Sequence, residues 1–194
     1  MTALELLHEA SRCRPTIHPL LKRGSLVQKS WGLLYEIDDP DCDRRLGAYD
    51  DGVVPMGPIY RGLNSSAQRI RELFDRHGVP RMIKRVAQFS VAVDEGVGEC
   101  LEKAILVQLA AQRRDQSFLI NGALAEDGDV GVTYHAFNIV CRDGVLFLLD
   151  AQNPFIVDAQ ACIRHYIVPV QGIHENGDVI VPEEYRAGRT YALW

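Results

Sequence analysis

Residues 96–154 read GVGECLEKAILVQLAAQRRDQSFLINGALAEDGDVGVTYHAFNIVCRDGVLFLLDAQNP, and the fold turns on this stretch. After Gly96 and Gly98, the residues from Glu99 to about Arg113 have helical spacing. Their apolar side chains lie almost all round: Leu101, Ala104, Ile105, Leu106, Val107, Leu109, Ala110 and Ala111. A helix without a polar face is a buried helix. Arg113 and Arg114 suit its negative C-terminal end. Residues 117–124 then read as a strand with a weak point at Gly122, and EDGDVG (126–131) as a loop. Residues 132–141 and 145–150 read as two strands joined at Asp143-Gly144, a strong signal for a two-residue hairpin turn. One buried helix followed by an antiparallel sheet is an α+β layout.

The hairpin makes a geometric prediction. With a two-residue turn, Arg142 pairs with Val145, Phe137 faces Asp150 and His135 faces Gln152. Residues two apart on a strand share a face. His135 and Asp150 therefore project from one face as diagonal neighbours, with Cβ atoms roughly 7 Å apart. A turn one residue longer would put them on opposite faces. In the expected register Asn138 points away from the His135 face.

Cys100 falls in the first turn of the buried helix. Backbone N–H groups there lack helical partners, and the helix dipole favours an anion, so both stabilise a thiolate. The same N–H groups suit an oxyanion. Glu99 opposes the thiolate if it lies close. An Asp150 carboxylate can accept the imidazole N–H of His135 and set its tautomer. Cys, His and Asp together supply the nucleophile, base and orienter of acyl transfer through a thioester. Each alone has a plainer account. A cysteine at a helix start packs as a small hydrophobe, a core histidine is simply hydrogen-bonded, and a strand-end aspartate caps the AQNP turn. The combination carries the catalytic reading.

The rest of the chain sets bounds. Its 194 residues suit one domain, 1–194. Hydrophobic residues make up 47% and charged residues 24%, the composition of an ordinary soluble globular protein. With a net charge of −5, nothing marks a nucleic-acid or membrane-surface binder. The N-terminus carries Glu5 and Glu9 and does not read as a secretory signal. The five cysteines (13, 42, 100, 141 and 162) are odd in number, widely spaced and without a CxxC, so reduced thiols in a cytoplasmic protein are expected. Export by a route without a cleaved signal would look the same. Cys141, Cys162 and His165 lack compact metal-ligand spacing, so no metal is expected. GVGEC lacks the pattern of a phosphate loop.

Residues 2–12 have a short helical pattern that Pro15 ends. The first part of 25–37 reads as helix. Residues 38–63 read as a long surface loop, either a lid or a solvated connector. Ser65 or Ser66 caps a helix running to about His77, with Ile70, Leu73 and Phe74 as its stripe and Gly78 and Pro80 as its stop. Residues 82–93 have strand-like composition in their second half. Residues 164–170, 178–181 and 189–193 are short strand candidates.

The order Cys100, His135, Asp150, with HAFNIV (135–140), a turn glycine and LLDAQNP (148–154), resembles the core of transglutaminase-like, papain-fold cysteine hydrolases. It is also similar to papain-fold glutaminase or deamidase domains of bacterial toxins and effectors. The resemblance covers about residues 96–155, and Phe137 stands where a tryptophan is frequent. It implies a papain/transglutaminase-like core over 91–194, with Cys100, His135 and Asp150 catalytic and no cofactor. It further implies a protein or peptide substrate, and it offers Gln88 as an upstream oxyanion donor. Residues 1–90 would add N-terminal helices and loops as a lid or specificity region. The implied activity is peptidase, amidase or glutamine deamidase. Acyl transfer to an amine by the same three residues, and a non-enzymatic binding module on this fold, are the alternatives.

Overall fold

The computed structural model describes residues 16–30, 32–47, 54–126, 132–142, 145–152, 167–170, 172–173 and 179–180. The molecule is mixed α+β. One sheet has five antiparallel strands in the order β1-β6-β7-β8-β9: β1 (Thr16–His18), β6 (Gln116–Glu126), β7 (Val132–Arg142), β8 (Val145–Leu149) and β9 (Ile167–Val170). A second, mixed sheet has the order β2-β3-β5-β4: β2 (Leu26–Ser30), β3 (Leu33–Glu36), β4 (Val79–Arg81) and β5 (Lys84–Gln88), with β3 and β5 parallel. A pair of two-residue strands, β10 (Gly172–Ile173) and β11 (Val179–Ile180), completes the strands described. The helices are α1 (Met56–Gly62), α2 (Ala67–His77), α3 (Phe89–Asp94) and α4 (Cys100–Ala111). A short 3-10 helix spans Cys42–Leu46.

Helix α4 lies at the centre. It is buried on all sides, and even Glu102, Lys103 and Gln108 are almost fully enclosed. It packs on β6 and β7 and also touches α1 and the 3-10 helix. Most of its buried polar groups find partners, as low-dielectric surroundings require, although Glu102 Oε1 has no hydrogen-bond partner among the described residues. Gln108 donates to the Ser117 carbonyl at 3.1 Å, and Asn138 on β7 donates to the Ala104 carbonyl at 3.0 Å. Gln112 clamps Leu21 through both backbone groups, at 2.9 and 2.6 Å. Arg113 holds the buried Asp43 by two bonds, at 2.7 and 2.6 Å. The second sheet joins the same core through Tyr35, whose ring meets Phe74 at 4.8 Å and Phe89 edge-on at 5.5 Å.

Several expectations hold. Helix α2 begins after Ser66, whose hydroxyl accepts from the Arg69 N–H, and it buries Ile70, Leu73 and Phe74. Gly122 marks a bulge, with a φ of +87° and a register shift between Asn121 and Ala123. The β7–β8 register pairs Arg142 with Val145 and Asn138 with Leu149, as a two-residue turn demands. Asp143 and Gly144 themselves lie outside the described residues.

Other expectations fail. Residues 25–37 form β2 and β3, not a helix. Val27 and Tyr35 go fully inside, and Gly32, at a φ of +83°, turns one strand back on the other. The N-terminal part is therefore not only helix and loop, because it carries the second sheet. Residues 38–63 are not a surface loop where they are described. Cys42, Asp43, Val54, Met56, Ile59 and Leu63 are all buried. Residues 82–93 divide into β5 and α3. The expected helix at 2–12 and strand at 189–193 lie outside the described residues, as do 164–166, 178 and 181.

Candidate active site

The chain enters α4 through two glycines with different tasks. Gly96 closes α3 in a left-handed conformation (φ +63°), donating its N–H to the Val93 carbonyl while Val97 donates to Ala92. That is the Schellman arrangement, which favours glycine. Gly98 is needed for space instead. A Cβ there would lie 2.6 Å from the Glu102 Cβ and 3.2 Å from the Leu63 Cβ. Its N–H also donates to the Ser65 hydroxyl at 2.7 Å. Gly98→Ala should therefore push the start of α4 away from α1 and cost about 1–3 kcal/mol by urea unfolding. A variant as stable as the wild type would show that this approach is looser than drawn.

Cys100 is the first residue of α4, half-buried. Glu99 and Glu102 form a capping box over the helix start: the Glu99 carboxylate accepts the Glu102 N–H, and Glu102 accepts the Glu99 N–H at 2.9 Å. The box leaves aside the N–H groups of Cys100 and Leu101. Lys29 on β2 bridges both carboxylates, reaching Glu99 at 3.3 Å and Glu102 at 3.0 Å. Burial alone would lower the Lys29 ammonium. Glu102 first, then Cys100 and Glu99, hold it above its ordinary range. The opposition expected from Glu99 is thus countered by a cation from the second sheet.

His135 and Asp150 meet as the register predicts. The imidazole Nε2 lies 2.7 Å from Asp150 Oδ2, and both residues are buried. The other carboxylate oxygen, Oδ1, accepts the Gln152 N–H at 2.9 Å. Asp150 therefore does both things weighed for it: it holds the histidine and caps the turn after β8. Cys100 lies near enough to the imidazole for a charge on the thiol to favour the ring's protonated form. Phe137, on the same face, stacks beside His135 with ring centroids 6.3 Å apart.

The opposite face of β7 packs on the body of α4, through Ala136, Asn138 and Val140. Asn138 points away from the His135 face, as expected. His135 lies just before the last β7–β8 pair, Asn138 with Leu149.

Burial by itself would lower the His135 imidazole. The Asp150 charge and hydrogen bond, then Cys100, outweigh it and raise the imidazole to about 10. The folded value lies above the ordinary value of 6.5, so the fold stabilises the protonated ring. That contribution is complete below pH 6.5 and is lost as the pH climbs towards about 10. Urea unfolding across this window should show wild-type stability falling more steeply than that of His135→Gln. Parallel curves would contradict the assignment.

Gln88 is not brought into this arrangement. It ends β5, exposed, paired with Glu36, and it makes no hydrogen bond to Cys100, His135 or Asp150 among the described residues. Three participants escaped the sequence reading: Lys29, Glu102 and Lys103. A lysine in a helix apolar on every side was the available signal for Lys103. The E-x-x-E spacing of 99–102 was the signal for the capping box. Nothing local could have announced Lys29.

Among the described residues, no group of three or more His, Cys, Asp or Glu side chains is placed to hold a metal ion. Cys162 and His165 lie outside them. No helix described is long and apolar enough to cross a membrane. Compared with models of known families, with characterised proteins and with solved structures, the chain finds no match.

Proposed function

We propose that this protein is a cysteine-dependent amide hydrolase with a transglutaminase-like, papain-type core. The observation that carries the reading is the buried bond from His135 Nε2 to Asp150 at 2.7 Å, with Cys100 beside the imidazole at the start of a buried helix. The bond to Asp150 leaves Nδ1 as the ring nitrogen available to the thiol. An imidazolium favoured by the Asp150 carboxylate suits the ion pair that a thiolate nucleophile needs.

In this chemistry the Cys100 sulfur attacks the carbon of a carboxamide or peptide carbonyl. A C–S bond forms and the carbonyl pair moves to oxygen. The Cys100 and Leu101 N–H groups are the nearest candidates to stabilise that oxyanion. When the pair returns, the C–N bond breaks and His135 gives its proton to the leaving amine. A water, deprotonated by the now neutral His135, then attacks the thioester. The carboxylic acid leaves and the thiolate–imidazolium pair is restored. Asp150 holds the ring throughout.

The test is to trap the thioester by mass spectrometry, offering glutamine-containing proteins, peptides and small amides to the wild type and to Cys100→Ala. An adduct on the Cys100 peptide, absent from the variant, supports the reading. Ammonia release selects deamidation, and cleaved chains select proteolysis. Incorporation of an added amine instead of water would redirect the reading to acyl transfer. Neither adduct nor product across the panel would overturn it.

A further inference from the structure

One buried charge beside the thiol has no part in the chemistry above. Lys103 lies on α4 three residues after Cys100, hence on the same face of the helix, and is only 2% exposed. Its Nζ donates to Gln152 Oε1 at 2.8 Å and stands 4.8 Å from the centre of the Tyr60 ring on α1. Gln152 is also the residue whose N–H binds Asp150 Oδ1. The contacts run from His135 to Asp150, Gln152 and Lys103, and Lys103 sits one helical turn from Cys100.

A buried ammonium is costly unless an anion compensates it. The obvious carboxylates are engaged elsewhere. Glu99 and Glu102 bind Lys29, and Asp150 binds His135 and Gln152. The groups facing this space are Lys29 from β2, Glu99 and Glu102 from the helix start, Tyr60 from α1, His135 from β7 and Asp150 after β8. With a Cys100 thiolate they hold four negative charges. Lys29 and imidazolium supply two positive ones, and Lys103 is the third. Burial pulls the Lys103 ammonium below its ordinary range, and Cys100, followed by Asp150, opposes that fall most strongly.

We infer that Lys103 is a positioning residue for the reacting thiol: held by Gln152 and Tyr60, its ammonium supplies the charge that favours a thiolate at Cys100. The inference rests on the reading of Cys100 as the nucleophile. The Gln152 link also ties that charge to the turn that orients Asp150, so the acid and the cation move together.

The test needs no substrate. Alkylation of Cys100 by iodoacetamide, read on its own peptide by mass spectrometry, is followed from about pH 5 to 10 in the wild type, Lys103→Met, Lys103→Arg and Gln152→Ala. Lys103→Met should move the profile to higher pH and slow alkylation at pH 7 about tenfold, the effect of one unit. Lys103→Arg keeps the charge and should stay near the wild type. Gln152→Ala, which keeps the lysine but releases it, should shift in the same direction by less, and it decides the matter if Lys103→Met does not fold. Folded Lys103→Met or Gln152→Ala following a wild-type profile that does titrate would overturn the role of Lys103. A slow, flat profile in the wild type would instead overturn the nucleophile reading itself.

Discussion

Cys100→Ala should abolish amide turnover, lowering kcat/KM by on the order of 10⁶, and His135→Ala should cost about as much. The double variant should be no worse than either single one, because a nucleophile and its base act as a unit. Asp150→Ala should lose less, about 10⁴. Asp150 acts through the ring, which it holds by Nε2 at 2.7 Å and so leaves the other nitrogen for the thiol. Asp150→Asn separates orientation from charge. If the amide oxygen takes the Asp150 Oδ2 position, the ring stays bonded but loses the anion that favours its protonated form. Its activity should then fall most at high pH, where the imidazolium is lost first. Steady-state release of amine or ammonia measures all five variants, with circular dichroism to confirm folding. Activity retained by Cys100→Ala would remove the thioester from the mechanism.

How far such a site could be read in advance depends on what fixes each part. The His135–Asp150 pair was legible because both ends are local. A favoured two-residue turn sets a register, and strand alternation does the rest, as the pairing of Asn138 with Leu149 bears out. The buried α4 was legible from composition alone. The second sheet was not, since LVQKS and LLYE are short and their helical and strand spacings overlap. What makes them strands is a parallel pairing between β3 and β5 across some fifty residues, and no local rule anticipates that. Residues 38–63 misled for a similar reason. Their acidic, turn-rich surface hides Asp43, whose burial is made tolerable by Arg113, which meets it from the end of α4. Lys29 belongs to the same class: it matters through Glu102, seventy-three residues away.

Lys29→Met should therefore be among the most destabilising single changes to the protein outside its apolar core. Glu102 is fully buried, and its Oε2 accepts both the Glu99 N–H and the Lys29 ammonium. Removing one partner of a buried ion pair leaves an uncompensated charge, which costs about 3–5 kcal/mol. Lys29 keeps 12% exposure, so some water reaches the pair and the lower end, about 3 kcal/mol, is expected. Glu102→Gln should lose less, because a side-chain amide oxygen can still accept the Glu99 N–H and Lys29 keeps the Glu99 carboxylate as a partner at 3.3 Å. The double variant should regain part of what Lys29→Met loses, since no buried charge is then left unpaired. Urea unfolding of the two singles and the double gives the coupling directly. Arg85→Met, which breaks the exposed pair with Asp75, serves as the contrast and should cost less than 1 kcal/mol on the scale of about 0–1 for surface pairs. Strict additivity of Lys29→Met and Glu102→Gln would mean that the two charges do not sense each other. The start of α4 would then have to hold Cys100 between two carboxylates by some means other than the cation from β2.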